Sequence, residues 1–237
     1  MLTNHRRALR FAVLLLAGLI FMLLAVGRHP SSEAPRTTLT FVGNLDSSVY
    51  RWMDDIRNVV LSGLFRFLNV AGGGLVTIPI RAIVSLYLLI RRRFLAFSAF
   101  VLTWAASELA LTLLKAFYHR GRPMAPLVAT TGFSFPSGHA VAGAALAVAL
   151  VLVFFPPGPK RRKWELIAVG FSFLMAFSRV YLYAHWFSDV VAGVLLGAGI
   201  ALGSAALVTE IANLLARRGT IEPPARRPGD PLDPALP

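Results

Sequence analysis

The sequence predicts an all-α polytopic membrane protein, a bundle of six transmembrane helices. Three observations predict it. Of the 237 residues, 56% are hydrophobic and only 15% charged, and the mean hydropathy of +0.66 is too high for an ordinary soluble domain. Six apolar runs approach the roughly 20 residues that a helix needs to cross a bilayer. The basic residues fall in clusters between those runs, as they do where a chain crosses a membrane repeatedly.

Residues 9–27 form the first run, after Arg6, Arg7 and Arg10. A signal peptide would start the same way, but its apolar region spans only about 7–15 residues and ends in a small-residue site. No Ala-x-Ala closes this run, so an uncleaved first helix is expected. Residues 28–45 carry Pro30, Ser31, Ser32 and Pro35 and read as an irregular loop. Residues 48–70 have helix-like apolar spacing and read as an interfacial helix.

The second run, 71–90, contains Pro79 and Arg81. A charge at that depth costs several kcal/mol unless it faces protein or water, so Arg81 is expected to point into the bundle. Glu108 is a candidate partner for Arg81 or for Lys115, and no catalytic role is assigned to it. The other runs are 94–115, 138–155, 165–183 and 190–213. The tail beyond 213 is rich in proline and charge and is expected to be disordered.

The predicted organisation is a cytoplasmic N-terminus (1–8), a first transmembrane helix (9–27), an extracytoplasmic loop with an interfacial helix (28–70), a transmembrane core (71–213) and a cytoplasmic tail (214–237). Basic residues set this orientation. With the N-terminus inside, the cytoplasmic segments hold Arg6, Arg7, Arg10, Arg91, Arg92, Arg93, Lys160, Arg161, Arg162, Lys163, Arg217, Arg218, Arg226 and Arg227, which is 14 of the 24 Lys and Arg. The positive-inside rule then places both termini in the cytoplasm.

The net charge of +13 follows from topology and anionic headgroups. Nucleic-acid binding is not expected, because no soluble face interleaves basic and aromatic residues. The chain has no cysteine, which excludes thiolate nucleophiles, thiolate metal sites and disulfides.

Three polar clusters lie at the ends of apolar runs, all on the predicted outer face: Lys115-Ala-Phe-Tyr-His-Arg-Gly-Arg122-Pro123, Pro136-Ser137-Gly138-His139, and Ser178-Arg179 followed by His185-Trp-Phe-Ser-Asp189. Ser137 and Gly138 open a helix whose unpaired N–H groups and dipole can seat an anion. His185 and Asp189, four apart, share a face on a continuous helix, so the carboxylate can fix the imidazole tautomer and leave the other nitrogen as nucleophile. Lys115, Arg122 and Arg179 supply positive charge for phosphoryl oxygens. Alternatively they are anchors snorkelling to headgroups, although they lie where positive charge should be scarce.

The pattern Lys-x6-Arg-Pro, Pro-Ser-Gly-His and Ser-Arg-x5-His-x3-Asp resembles the signature of the type 2 phosphatidic acid phosphatase superfamily, which includes vanadium haloperoxidases. Every defining position is matched, in order, within residues 70–213. The resemblance implies His185 as the nucleophile forming a phosphohistidine and Asp189 as the group that orients it. It implies His139 as the acid for the leaving oxygen and then the base for water, and Lys115, Arg122, Ser137, Gly138 and Arg179 as phosphoryl binders. No metal or cofactor is implied.

Other polar and small residues have simpler readings. His119 and Arg120 occupy variable positions of the first motif and read as headgroup contacts at most. Trp186 and Phe187 read as interfacial aromatic anchors, and Gly193, Gly197, Gly199 and Gly203 as helix-packing residues.

The expected partners are the bilayer and a lipid phosphate or pyrophosphate. Undecaprenyl pyrophosphate, phosphatidylglycerophosphate and phosphatidate are the candidates by analogy, with an outer-leaflet lipid A phosphatase and a phosphotransferase as variants on the same intermediate. A vanadate-dependent haloperoxidase is disfavoured because those relatives are typically large and soluble. A non-catalytic lipid-binding or transport protein would be expected to have lost His139, His185 or Asp189. The oligomeric state is not specified by the sequence.

Overall fold

The computed structural model describes residues 5–27 and 38–218. All the regular structure among them is helical: α1 (His5–Val26), α2 (Thr40–Asp55), α3 (Val59–Ala71), α4 (Gly74–Ile90), α5 (Phe94–Tyr118), α6 (Gly138–Phe154), α7 (Pro159–Tyr181) and α8 (Phe187–Arg217). Each of the six predicted runs falls on a helix. By length and composition α1, α5, α7 and α8 can cross a membrane alone, and α3 and α4 qualify together as a pair bent by 46°. The apolar α6 is shorter, at 17 residues, so six helices are consistent with four or five full-length spans plus this one.

Helix α8 is central, packing against α1, α5, α6 and α7. Small residues allow it. A Cβ on Gly193 would lie 2.8 Å from both the Ala140 Cβ and the Ser137 carbonyl oxygen, and one on Gly197 would meet the backbone of Val141 and Ala145. Since backbone cannot swing aside as a side chain can, Gly197→Ala should push α8 off α6 and cost about 1–3 kcal/mol, read as a lower melting temperature in detergent. Gly199 abuts Leu16 of α1, whereas a Cβ on Gly203 would meet nothing within 4 Å. Gly203 therefore plays no part in the packing expected of it.

Large apolar side chains on the outer surface, among them Leu14, Leu24, Ile83, Leu166 and Phe173, are exposed. Such an area would be a liability in water and suits contact with lipid tails. Arg81 is buried as expected, donating to Glu108 at 2.6 Å. That pair settles which cation Glu108 partners.

Several boundaries differ from those read in the sequence. Helix α1 starts at His5 rather than 9, and α8 continues to Arg217, so the predicted tail begins inside a helix. Residues 1–4, 28–37 and 219–237, which hold half of the predicted N-terminus, the start of the predicted loop and most of the predicted tail, lie outside the described residues. The predicted loop is already helical from Thr40, and the 48–70 segment is two helices, α2 and α3. They separate at Asn58, whose side chain accepts from the Leu61 N–H at 2.9 Å and caps α3.

Alternating helix directions bring the C-terminal ends of α5 and α7 and the N-terminal ends of α6 and α8 to one end of the bundle. The Tyr118 hydroxyl donates to the Leu23 carbonyl at 2.9 Å, placing the end of α1 there too. The basic runs 91–93, 160–163 and 217–218 occupy the other end. There Arg93 donates to the Val153 carbonyl at 2.6 Å and satisfies the C-terminus of α6.

Candidate active site

Four helix ends deliver the three polar clusters to one place. Lys115 lies in the last turn of α5, where a cation suits the helix dipole. His119, in left-handed conformation with φ 48°, then turns the chain into the 120–137 loop. Arg122 folds back within that loop, donating to the carbonyls of Thr131 at 2.8 Å, Gly132 at 3.0 Å and Phe133 at 3.2 Å. Lys115 donates to the same Phe133 carbonyl. The two cations therefore sit side by side.

Arg122 also reaches the far cluster, donating to the Ala184 carbonyl at 2.6 Å and lying 3.2 Å from His185 Nε2. The Ser137 N–H donates to the Asp189 carbonyl at 3.0 Å, which ties the start of α6 to the start of α8. His139 Nε2 lies 2.9 Å from the Asn69 carbonyl, and Arg179 donates to the Asn69 side chain. These shared partners connect Lys115, Arg122, Ser137, His139, Arg179, His185 and Asp189 in one constellation, with Gly138 between Ser137 and His139 in the chain.

Four buried polar atoms at this place have no hydrogen-bond partner: Arg120 Nε, Ser137 Oγ, Arg179 Nε and His185 Nδ1. Unpaired buried polar groups are costly. Ser137 stands at the N-cap position of α6 without making a side-chain cap bond. Its hydroxyl is thus left available beside the first N–H groups of the helix.

His185 is not on a helix with Asp189. Helix α8 begins at Phe187, and His185 occupies the preceding turn. Asp189, in the first turn of α8, accepts from the Trp186 N–H at 2.9 Å and from Ser134 Oγ at 2.6 Å, and its Oδ2 lies 3.5 Å from His185 Nδ1. That separation is too long for a hydrogen bond but within ion-pairing reach. Burial lowers the His185 pKa to about 4, with Asp189 opposing and Arg122 and Arg179 assisting. The imidazole is therefore neutral near pH 7, with Nδ1 towards the carboxylate and the Nε2 lone pair towards Arg122.

Arg120 corrects the sequence reading most. It is 2% exposed and reaches no headgroup. Its guanidinium bridges Asp189 at 2.5 Å and Asp46 of α2 at 2.7 Å, and it also donates to Ser188 Oγ at 2.7 Å. Asp46 in turn accepts from the Ser188 N–H at 2.8 Å and hydroxyl at 2.7 Å. Burial alone would lower the Arg120 pKa, but the two carboxylates more than offset it and the net shift is upward.

Trp186 is likewise buried rather than interfacial, donating from Nε1 to the Gly121 carbonyl at 3.0 Å. Arg120, Ser134 and Asn69 contact the constellation directly, and Asp46 and Ser188 join it through Arg120; none of the five is a site residue in the sequence reading. The available signals were faint: an aspartate, Asp46, in the middle of an amphipathic helix, an arginine two before Arg122, and an asparagine just ahead of Gly72-Gly73-Gly74.

Fold and site together define a helical membrane protein that gathers the cations Lys115, Arg122 and Arg179, two imidazoles and a buried carboxylate at one set of helix ends. The chain belongs to the PAP2 superfamily, whose sequence profile matches residues 96–212. It is 29% identical over 184 residues to phosphatidylglycerophosphatase B of Bacillus subtilis, covering 76% of this chain and 86% of that protein. It is 30% identical over 145 residues to undecaprenyl-diphosphatase of Sulfolobus acidocaldarius, covering 59% and 67%. A crystal structure of a transmembrane PAP2-type phosphatidylglycerolphosphate phosphatase from Bacillus subtilis shares the fold, with a TM-score of 0.70 at 23% identity, covering 87% of this chain and 98% of that one.

Proposed function

We propose that this lipid phosphate hydrolase of the PAP2 superfamily works through a phosphohistidine on His185, without a metal, at the extracytoplasmic face of the cell membrane. The observation that carries the reading is the convergence of Ser137 Oγ and Arg179 Nε, buried and unpartnered, with the cations of Lys115 and Arg122, the N-terminus of α6 and the His185 imidazole, whose Nδ1 faces Asp189.

In the first step the Nε2 lone pair of His185 forms the P–N bond as the bond from phosphorus to the leaving oxygen breaks. His139 donates its proton to that oxygen. Asp189 balances the positive charge that develops on the His185 ring. In the second step neutral His139 takes a proton from water, the water oxygen attacks phosphorus, and the P–N bond breaks. Lys115, Arg122, Arg179, Ser137 and the Gly138 backbone hold the phosphoryl oxygens throughout.

The relatives act on phosphatidylglycerophosphate and undecaprenyl diphosphate by name, and a third, 36% identical over 67 residues, is a lipid A 4'-phosphatase of Bacteroides thetaiotaomicron. Substrates of this chain are accordingly sought among membrane lipid phosphates and pyrophosphates, with the tail remaining in the bilayer. The outer location rests on the basic runs lying at the opposite end of the bundle.

Purified protein in detergent should release phosphate from at least one diacyl or polyprenyl phosphate, unaffected by EDTA. His139→Ala should slow that release by about 10²–10⁴-fold, the usual worth of a general acid–base group. Loss of activity in EDTA, restored by a divalent ion, would contradict the metal-free mechanism. A reporter after Arg93 should score cytoplasmic and one near Gly121 extracytoplasmic; the reverse would place the site on the inner leaflet.

A further inference from the structure

We propose that Asn69 is a positioning residue of the phosphoryl-transfer site: its backbone oxygen fixes the His139 tautomer so that Nδ1 handles the proton, and its side-chain oxygen holds the Arg179 guanidinium at the pocket. The proposal rests on the hydrolase reading above and adds a group from α3, outside the three motifs.

Asn69 lies in the last turn of α3, where carbonyls run out of intrahelical donors. The Gly72 and Gly73 N–H groups go to Leu68 and Val70, at 2.8 and 3.1 Å. The Asn69 carbonyl lies 2.9 Å from His139 Nε2. A carbonyl oxygen can only accept, so the proton of neutral His139 resides on Nε2. Nδ1 then carries the lone pair that takes a proton from water, and only in the doubly protonated ring does Nδ1 carry the proton given to the leaving oxygen. The atoms balance without any further group.

The Asn69 amide oxygen accepts from Arg179 Nη1. Arg179 is nearly fully buried and its Nε is unpartnered, so its outer nitrogen is tethered while another edge stays free for an anion. One residue thus touches both the proton-transferring imidazole and a phosphoryl-binding cation. Close approach is enforced at the bend between α3 and α4. A Cβ at Gly72 would lie 3.0 Å from His139 Cδ2 and 2.6 Å from Met175 Sδ. The missing side chain is what lets the turn carrying Asn69 lie against the His139 ring.

The test uses full-length protein in detergent with two variants, Asn69→Ala and the near-isosteric Asn69→Leu, which keeps helix-forming shape without an acceptor. Each is made in wild-type and Arg179→Ala backgrounds. Affinity for inorganic phosphate is read by ³¹P line broadening, alongside kcat and KM on the lipid phosphate. Loss of a hydrogen bond to a charged group should weaken phosphate binding and kcat/KM by about tenfold or more in the wild-type background, and by less than about twofold once Arg179 is gone.

Unchanged binding, or losses that simply multiply with that of Arg179→Ala, would assign Asn69 a merely structural part and overturn the proposal. The phosphate arm needs no turnover. A wild-type protein inert on every lipid phosphate would count against the hydrolase reading, while phosphate affinity still decided the role of Asn69. The tautomer is read from ¹⁵N shifts of labelled histidine, assigned with His139→Gln: an unprotonated Nδ1 is expected, and a proton on Nδ1 with a bare Nε2 overturns that part.

Discussion

His185→Ala is expected to lower kcat by about 10⁴-fold or more while leaving inorganic phosphate bound. The magnitude follows from what the residue supplies. Removing the nucleophile of a catalytic unit typically costs about as much as removing the whole unit, with residual rate arising from the surrounding electrostatic pocket. In the proposed mechanism that pocket is built by Lys115, Arg122, Arg179 and the N-terminus of α6, none of which depends on the imidazole for its fold.

Arg122, the cation 3.2 Å from His185 Nε2, keeps its carbonyl partners in the variant. Phosphate affinity should therefore change by only a few-fold, separating loss of chemistry from loss of the site. Asp189→Asn should also be severe, because it disturbs both His185 and Arg120. It is the less clean test for the same reason.

The second large effect is on stability. Arg120→Leu should destabilise the protein by about 3–5 kcal/mol, because it removes the cation between two carboxylates that are 3% and 0% exposed. For a chain of this size that corresponds to a melting temperature roughly 10 °C lower. Activity should fall with it, since Asp189 would lose the charge partner that holds its Oδ1.

Asp46→Asn is the informative companion. It keeps an acceptor for the Ser188 N–H and leaves Arg120 paired with Asp189, so it should be markedly milder. Equal effects, or a shift under about 0.5 kcal/mol for Arg120→Leu as is usual for surface substitutions, would instead match a headgroup contact. Even Arg120→Lys should not restore the wild type, because a point charge cannot span two carboxylates as the planar fork does.

The sequence spoke clearly where physics is local or repetitive. Apolar length gave six helices, Arg81 had to face protein because lipid would not take it, and the three motifs announced themselves at helix ends. What stayed hidden was long-range. Asp46 meets Arg120 and Ser188 across 74 and 142 residues, and no periodicity encodes such a pairing. Asn69 sits 70 and 110 residues from His139 and Arg179, and a glycine bend brings it near.

Helix spacing misled in a different way at His185 and Asp189. The two do meet, but through a turn in which the Asp189 carboxylate binds the Trp186 N–H, not through one face of a continuous helix. An i,i+4 spacing is compatible with either geometry, and the sequence alone does not distinguish them. Ser137 shows the reverse case. Its N-cap position was legible, but the absence of a cap bond, which leaves the hydroxyl for an anion, was not.

The covalent intermediate is the most direct test of the mechanism. Wild-type protein mixed with ³²P-labelled lipid phosphate, quenched within milliseconds and held at alkaline pH, should carry label that is stable to base, lost in acid and mapped by mass spectrometry to His185. Label on another residue, or full turnover with no labelled protein at any quench time, would contradict the phosphohistidine mechanism.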